Sequence, residues 1–374
     1  MRLAAAAPLV FGAAVMVAAE FVVIGLIPSI IADLRLSPAQ AGSLITVFAL
    51  SSALLGPPLV AAATRLPATF VLAGALLPFA ANLLLLVVPD FPLLLLLLLL
   101  RVLQGAALPL FMSRAGVQLG GGGNGQGIAL LYVGVTLGGT LSPPAGSFMA
   151  GEFGWRLPVA AIGALALAGI IACLAGSFDA KPDRTSAPWR LLARPTLRRH
   201  LLLSTLAFAA MFTGFSYAGL LLRHAGFVGD DVTLALLAFG AAGLGGNWLA
   251  GKLASRALAG TAISALLTAM AALTLGTGPF VAGVVIVIWG AAHAAGFVFC
   301  QVRVMDAAPE APGFAGSLNI SAANIGIAIG SLGGGKAIEA GGVTGASAAA
   351  CVIALLAVGV ALTWPNSNVI QTSS

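Results

Sequence analysis

Long apolar runs alternate with short polar segments along the whole chain. Twelve of these runs reach the length of about 20 residues that an α-helix needs to cross a bilayer. The predicted spans are residues 8–31, 40–62, 68–88, 92–115, 127–150, 156–177, 200–222, 232–251, 257–276, 280–303, 314–337 and 344–364. The segments between them contain the turn formers Gly, Pro and Asp. The pattern predicts an all-α integral membrane protein.

The longest polar segment, residues 178–199, separates six predicted spans from the next six. It predicts an N-terminal half (1–177), a linker (178–199) and a C-terminal half (200–374). The stretch APWRLLARPTLRRH at the end of this segment places Trp and Leu among arginines. It is consistent either with a short amphipathic helix lying along the membrane interface or with a solvated basic linker.

The composition agrees with a membrane protein, because 60% of the residues are hydrophobic and only 7% are charged. A soluble domain carries about 25% charged residues on its surface. The net charge of +6 does not indicate nucleic-acid binding, since the basic residues lie at the ends of apolar runs and not on one face. The three cysteines lie far apart inside apolar runs, so we predict no disulfide, metal or cofactor site.

The distribution of Lys and Arg predicts the orientation in the membrane. If the N-terminus is cytoplasmic, twelve of the 17 basic residues fall on the cytoplasmic side and four on the other side. The remaining one, Arg101, lies inside a span. Because cytoplasmic loops carry the excess of Lys and Arg, both termini and the central linker are predicted to be cytoplasmic.

Glycine is frequent within the predicted spans, as in YVGVTLGGTLSPPAG and NIGIAIGSLGGG, and the chain contains 48 glycines. Small residues let membrane helices approach each other closely. Six plus six glycine-rich spans around a cytoplasmic linker are typical of secondary transporters built from repeats. The run GSLGGGKA (330–337) matches a nucleotide-binding pattern only in part, because Ala337 replaces the required hydroxyl, and we expect no nucleotide there.

Four stretches resemble the major facilitator superfamily, and within it the branch of proton-coupled drug, sugar and nucleoside efflux proteins. The first span reads AEFVVIGLIPSIIADL, which resembles the Glu-Phe…Gly-Leu-x-Pro signature of that branch at Glu20, Gly25 and Pro28. The fourth reads LLRVLQGAALP, which is similar to the motif with an intramembrane arginine, at Arg101 and Gln104.

Two further stretches extend the resemblance over nearly the whole chain. The fifth span, GVTLGGTLSPPAGSFMAGEFGWR, is similar to the glycine–proline motif of antiporters, and GFAGSLNISAANIGIAIGSLGGG resembles a Ser-Leu-Asn…Asn-x-Gly stretch of the branch. One family feature is missing: the loop between spans two and three has Arg65 but no acidic residue, and Ser255 replaces the acid expected after span eight. No charge latch is therefore predicted in these loops.

The resemblance implies the major facilitator fold, with twelve transmembrane helices in two six-helix halves. It also implies a monomer in the bacterial inner membrane that carries a small-molecule substrate. Spans one, four, seven and ten line the central cavity in this superfamily. Glu20, Arg101 and His293 would therefore face one site.

Glu20 is the candidate proton carrier. It lies about 12 residues into its span, or roughly 18 Å at 1.5 Å per residue, near the middle of the bilayer. An ionised side chain at that depth costs about 2.5–3.5 kcal/mol, and such residues usually serve a function. A carboxylate there can take up and release a proton, whereas the competing interpretation is a permanently protonated, hydrogen-bonded structural acid.

Arg101 and His293 are the other titratable groups at depth. Arg101 stays protonated and therefore needs an acceptor or a water-filled cavity. It is a candidate both for proton coupling and for binding an electronegative substrate group. His293 is a candidate substrate contact, although a lone histidine in an apolar helix is equally consistent with packing.

Neutral polar side chains within spans complete the set of candidate substrate contacts. The ones that we select are Gln104, Tyr132, Tyr217 and Asn324. For each of them the competing interpretation is a hydrogen bond between helices, which is common in membrane bundles.

The sequence thus predicts a proton-coupled antiporter that exports small molecules such as sugars, nucleosides or drugs. A facilitator or a proton-coupled uptake transporter of the same fold is the first alternative. A non-transporting scaffold or receptor is a second, although it would gain nothing from charges within the bilayer. An enzyme is not expected, because no nucleophile–base pair or metal-ligand cluster lies at one depth.

Overall fold

Helices account for nearly all of the residues that the computed structural model describes, which are 3–63, 66–87, 93–120, 125–176, 178, 189–274, 279–310 and 312–363. The α-helices are α1 (Leu3–Leu34), α2 (Pro38–Ala62), α3 (Ala68–Ala80), α4 (Leu93–Gly120), α5 (Gly125–Phe153), α6 (Arg156–Ala175), α7 (Pro195–Phe215), α8 (Ala218–His224), α9 (Asp230–Lys252), α10 (Ala257–Thr274), α11 (Pro279–Asp306) and α12 (Pro312–Leu362). Short 3-10 helices lie at Ala81–Leu86, Trp189–Ala193 and Ala254–Arg256.

Each predicted span falls on a helix, which confirms the all-α membrane fold. Among the described residues, nine helices are long and apolar enough to cross a bilayer, and α7 with α8, bent by 47°, makes ten. Helix α12 is interrupted where Gly342 has a φ of +69°, so it consists of two arms, 312–341 and 343–362. If the two arms of α12 count as separate spans, the number rises to eleven. Helix α5, which has 29 residues, brings the number of spans among the described residues to twelve.

One departure from the predicted boundaries lies at the linker. Helix α7 begins at Pro195, so the last five residues of the predicted linker are helical. Proline is favourable in the first turn of a helix, because its missing N–H would have no partner there. Residues 179–188 of the predicted linker lie outside the described residues.

The two halves repeat one pattern of helix pairs. Helix α1 packs along α5, and α12 packs along α7. Helix α2 packs against α4, as α9 does against α11, and α3 packs against α6, as α10 does against α12. This repetition is the structural counterpart of the six-plus-six arrangement in the sequence. The halves meet where α2 contacts α12, α5 contacts α9 and α1 contacts α8.

Glycines bring the backbones of the principal pairs into contact. A Cβ on Gly138 of α5 would overlap the carbonyl oxygen of Ala14 of α1. The glycines of these two pairs that lie in this way against a backbone carbonyl of the partner helix include Gly25 on α1, Gly134 and Gly138 on α5, and Gly326, Gly330 and Gly334 on α12. Since lipid is as apolar as leucine, such close packing is what holds membrane helices together.

Hydrogen bonds join the halves at one end of the bundle, which we call the outer end and define by residues 35–37 and 225–229; the opposite end is the inner end. The Tyr217 hydroxyl lies 2.7 Å from the carbonyl oxygen of Ser331 on α12 and 3.1 Å from that of Pro38 on α2. The Ser331 hydroxyl donates to the Gly42 carbonyl at 2.7 Å and lies 3.2 Å from Thr46 Oγ1. We call these five residues the outer latch.

Two glycines make room for the Tyr217 hydroxyl. A Cβ at Gly42 on α2 or at Gly335 on α12 would collide with that hydroxyl group. The phenol is fully buried and therefore fills the space between helices of opposite halves. Tyr217 lies in the break between α7 and α8, where it is not part of either helix.

We expect Tyr217→Phe to weaken the closure of the outer end, because it removes the hydroxyl and keeps the ring. A lost hydrogen bond is worth about 0.5–1.5 kcal/mol, which makes opening up to about tenfold more favourable. The measurement is the rate at which a membrane-impermeant maleimide labels Ala328→Cys, a buried position on α12, in a chain without its native cysteines.

The matched control is Thr213→Val on α7, one turn before Tyr217. Among the described residues its hydroxyl bonds only to the Ala209 carbonyl, 2.7 Å away within α7, so labelling should stay at the parent rate. An equal rate in Tyr217→Phe and the parent would show that the hydroxyl does not hold the halves together.

Candidate functional site

Glu20 lies in the middle of α1 with its side chain half-buried. Arg101 interacts with its charge electrostatically. In the part of the chain that the structure describes, however, no ion pair or hydrogen bond reaches the carboxylate. The carboxylate is therefore a buried acid that no neighbouring donor fixes in place.

Arg101 is fully buried and bonds to backbone carbonyls of two other helices. Its Nε donates to Leu44 at 2.9 Å, and its terminal nitrogens donate to Ala19 at 2.8 Å and to Glu20 at 3.2 Å. The guanidinium also stacks over the Phe48 ring, 4.3 Å from its centre. Through these hydrogen bonds the Arg101 guanidinium connects α4 to the backbones of α1 and α2.

This geometry changes the interpretation of Arg101 as a substrate contact. A cation that binds an electronegative substrate needs free donors on an accessible surface, but four of the five N–H groups of this guanidinium have partners and the side chain is only 4% exposed. A small cavity does reach it, but that cavity lies within the N-terminal half between Asn82, Gln104 and Trp155. Arg101 thus positions the backbone around Glu20.

Gln104 likewise bonds within the N-terminal half and not towards a central cavity. Its Nε2 donates to Asn82 Oδ1 at 2.8 Å and to the Pro78 carbonyl at 3.1 Å, and its Oε1 accepts from Arg101 at 3.4 Å. The side chain is only 1% exposed. In this conformation Gln104 therefore bonds to neighbouring helices, and its role as a substrate contact stays a prediction.

The remaining neutral candidates divide into three cases. Tyr217 belongs to the outer latch, so its hydroxyl is not available to a substrate while the outer end is closed. Asn324 on α12 is buried; its Nδ2 donates to Ile320 of the same helix at 3.0 Å, whereas its Oδ1 has no partner among the described residues. The side chain of Tyr132 lies outside the described residues.

His293 on α11 is surrounded by aromatic rings. Its ring centre lies 4.3 Å from that of Phe215, 5.3 Å from Phe212 and 5.5 Å from both Phe239 and Phe297. Neither ring nitrogen has a hydrogen-bond partner among the described residues, although the side chain is 5% exposed. An unpaired buried polar group is costly and needs an explanation, which is often a functional one.

The aromatic rings continue away from His293 in two directions. Trp289, one helical turn earlier, packs edge-on against Phe239 at 5.3 Å, and its buried indole N–H also lacks a partner among the described residues. In the other direction, Phe212 lies 6.3 Å from Phe21, the residue that follows Glu20. We call this set the aromatic cluster: Phe21, Phe208, Phe212, Phe215, Phe239, Trp289 and Phe297.

The aromatic cluster connects the two halves next to Glu20, and the sequence interpretation missed it. A signal was present, since Phe208, Phe212 and Phe215 follow helical spacing on α7, as Trp289, His293 and Phe297 do on α11. The aromatic content of the whole chain is only 7%, and this average does not reveal that several of the rings lie together in the structure.

The polar groups near the cluster do not form a metal centre. No group of three or more His, Cys, Asp or Glu side chains that could hold a metal ion occurs within the described ranges. His293 on α11 packs against the rings of the cluster, and Glu20 on α1 is the sequence neighbour of Phe21, which belongs to it. The arrangement can therefore hold a proton at a carboxylate and contact the apolar face of a small molecule.

Comparisons with known proteins agree with this architecture. The chain is 33% identical over 339 residues to the inner membrane transport protein YdhP of Escherichia coli (strain K12), covering 86% of this chain and 85% of that protein. A crystal structure of the nucleoside transporter NupG (D323A mutant) superposes with a TM-score of 0.74, at 14% identity and 95% and 98% coverage of the two chains.

A bacterial homologue of the human lysosomal transporter Spinster, in an inward-facing and occupied conformation, superposes with a TM-score of 0.75. It is 17% identical, with 96% of this chain and 95% of that chain covered. These two structures share the fold. The sequence profile of the Major Facilitator Superfamily matches residues 9–331, which is most of the chain. The protein therefore belongs to the Major Facilitator Superfamily of membrane transporters.

Proposed function

We propose that the protein is a proton-coupled antiporter that exports small molecules by alternating access, with sugars, nucleosides and drugs as the candidate substrate classes. The observation that carries the proposal is the half-buried carboxylate of Glu20, in the middle of α1, without an ion pair or hydrogen bond among the described residues. Intramembrane acids with a function face a cavity or a partner, and this one directly precedes Phe21, whose ring belongs to the aromatic cluster.

Proton exchange at Glu20 follows from its surroundings. A carboxylate that accepts several fixed hydrogen bonds is held in its ionised form, whereas one that lacks them can be protonated when water reaches it. Desolvation of the ionised form favours the neutral acid. Glu20 therefore releases its proton when the site is open to one side and takes one up when it is open to the other.

The aromatic cluster supports a substrate with an apolar face or a ring. Phe21, Phe239 and Phe297 are half-buried, so their rings present surface at the edge of the cluster. The unpartnered nitrogens of His293 and Trp289 offer one acceptor and two donors to a polar group of a ligand, given that a neutral imidazole carries both functions. This combination of apolar walls with a few polar groups is typical of small-molecule sites.

Arg101 has a positioning role in this proposal. Its bonds to the Ala19 and Glu20 carbonyls fix the backbone that carries the proton site, and its bond to Leu44 connects that backbone to α2. A movement of α1 relative to α2 during transport would have to break or carry along these bonds. With the side-chain carboxylate of Glu20, the positive charge of Arg101 interacts electrostatically and without a hydrogen bond among the described residues.

The proposed orientation places the outer end outside the cytoplasm and both termini and the linker inside, in the inner membrane of a bacterium. The excess of Lys and Arg at the inner end supports it. In this orientation the outer latch closes the site towards the outside of the cell. The halves 1–177 and 200–374 would rock about the aromatic cluster, and the chain would act as a monomer.

We expect Glu20→Gln to abolish substrate-dependent proton movement, because an amide cannot exchange a proton there. The measurement uses the purified protein in liposomes with a pH-sensitive dye, challenged with a panel of sugars, nucleosides and drugs. The control is Glu152→Gln, which neutralises an exposed carboxylate at the outer end of α5.

The outcomes separate the competing functions. Substrate movement without any proton movement in the parent protein would identify a facilitator, and proton movement in the same direction as the substrate would identify an uptake transporter. Full proton coupling in Glu20→Gln would contradict the assigned role. The absence of transport for the whole panel would favour a scaffold or receptor.

We expect Arg101→Lys to lower the melting temperature in detergent by several degrees. A lysine cannot reach three carbonyls on two helices with the fixed geometry of a guanidinium, and each hydrogen bond to a charged group that is lost is worth about 1.5–3 kcal/mol. The control is Arg223→Lys at an exposed position. An unchanged melting temperature together with a raised KM would instead assign Arg101 to substrate binding.

We expect His293→Phe to retain or increase thermal stability but to lose most transport activity. A fifth ring replaces a buried imidazole whose nitrogens have no partner among the described residues, so folding improves while the polar function disappears. Measuring melting temperature and transport on the same preparation checks both parts. Transport at the parent rate would show that His293 is a packing residue.

A further inference from the structure

The short 3-10 helix Trp189–Ala193 before α7 is anchored at the inner end of the C-terminal half. Its Leu191 is 5% exposed and packs in an apolar cluster with Leu197 of α7 and Val304 of α11. Ala308 and Ala315 complete this cluster. The helix is therefore held against the bundle, which favours the amphipathic helix over the solvated linker for this part of the segment.

Trp189 marks the level of the membrane surface. Its side chain is 56% exposed, and its ring lies edge-on to Phe314 at a distance of 5.3 Å between centres. Tryptophan is enriched where hydrocarbon meets headgroups, because its ring is apolar and its N–H needs a polar partner. An exposed tryptophan held by a neighbouring ring is consistent with that depth.

The first turns of α7 place arginines at the same boundary. Arg198 and Arg199 are exposed, and Leu202, one turn after Arg198, is 49% exposed. An exposed leucine on a membrane helix faces lipid, so the boundary of the hydrocarbon lies between residues 198 and 202 on this face. Arg190 is exposed next to Trp189.

The charge of this surface is only partly compensated. Arg194 forms an ion pair with Glu310, and Asp306 lies exposed at the end of α11. Within the described ranges, Arg190, Arg198 and Arg199 have no ion-pair partner. Three exposed guanidinium groups thus remain against one further carboxylate.

We propose that Trp189, Arg190, Arg198 and Arg199 form a binding site for the headgroups of anionic phospholipids at the inner end of the C-terminal half. We call these four residues the basic rim. Guanidinium groups bind phosphate oxygens through paired hydrogen bonds, and the flanking Trp189 and Leu202 fit the glycerol and acyl region of the same lipid. Because the cytoplasmic leaflet carries the anionic lipids, the site agrees with the predicted orientation.

The basic rim does not depend on the proposed transport function. It involves neither Glu20 nor the aromatic cluster, and it would bind lipid in a facilitator or a scaffold as well. Bound lipid would hold the linker end and α7 at a fixed depth. Since α7 ends at Phe215, two residues before Tyr217 of the outer latch, the lipid contacts the helix that leads to the opposite, closed end.

The test measures thermal unfolding of the full-length protein in detergent with added phosphatidylglycerol, phosphatidylcholine or inorganic phosphate. We expect phosphatidylglycerol alone to raise the melting temperature. In the triple variant Arg190→Gln/Arg198→Gln/Arg199→Gln the concentration needed should increase on the order of 100-fold. The control, Arg35→Gln/Arg223→Gln/Arg256→Gln, removes the same charge from exposed positions elsewhere and should respond like the parent.

Three results would overturn the proposal: an undiminished response in the triple variant, an equal loss in the control, or the same stabilisation by inorganic phosphate. If the triple variant cannot be purified, native mass spectrometry of the single variants replaces the melting experiment. Each single Arg→Gln change in the basic rim should then reduce the number of bound phosphatidylglycerol molecules relative to Arg256→Gln, and equal numbers would refute the site.

Discussion

Contact between helix backbones is the constraint on which the rest of this structure depends. In lipid, burying an apolar side chain against a neighbouring helix gains little, so the helices must approach closely enough for their backbones to pack. Glycines at four-residue intervals meet this requirement on α5 and again on α12. The same arrangement in both halves gives two rigid bundles, and each polar side chain of the site is positioned by one of them.

The two bundles then use their polar groups in different ways. In the N-terminal bundle, Arg101 and Gln104 bond to backbone and side-chain groups within the bundle, which leaves Glu20 without a fixed partner. In the C-terminal bundle, His293 and Trp289 are enclosed by phenylalanine rings and have no hydrogen-bond partner among the described residues. The central region thus combines one acid from a polar, hydrogen-bonded bundle with an unsatisfied polar pair from an aromatic one.

The sequence predicts the fold well because membrane spans depend on length and hydropathy, which are local properties. All twelve spans fall on helices, and the errors are boundaries such as Pro195, where a helix begins earlier than the apolar run. The site is less predictable, because side-chain depth does not reveal the direction in which a side chain points. Arg101 and Gln104 lie at the predicted depth. Their partners, however, are carbonyls and amides of neighbouring helices, and no sequence pattern predicts such contacts. The aromatic cluster depends on contacts between α1, α7, α9 and α11 that only the tertiary structure brings together.

The outer latch consists of neutral hydrogen bonds among Tyr217, Ser331, Thr46 and two backbone carbonyls. The ion pair near it, between Lys336 and Glu339, lies within α12 and therefore stays intact when the halves separate. The Glu339 carboxylate also accepts a long hydrogen bond, 3.4 Å, from the Ala39 N–H of α2, and this charged contact lies outside the latch itself. Because salt screens charge–charge attraction but has little effect on buried neutral hydrogen bonds, the cost of breaking the latch is nearly independent of ionic strength. The contribution of the latch to the balance between closed and open forms is therefore expected to be the same in dilute and in saline solution.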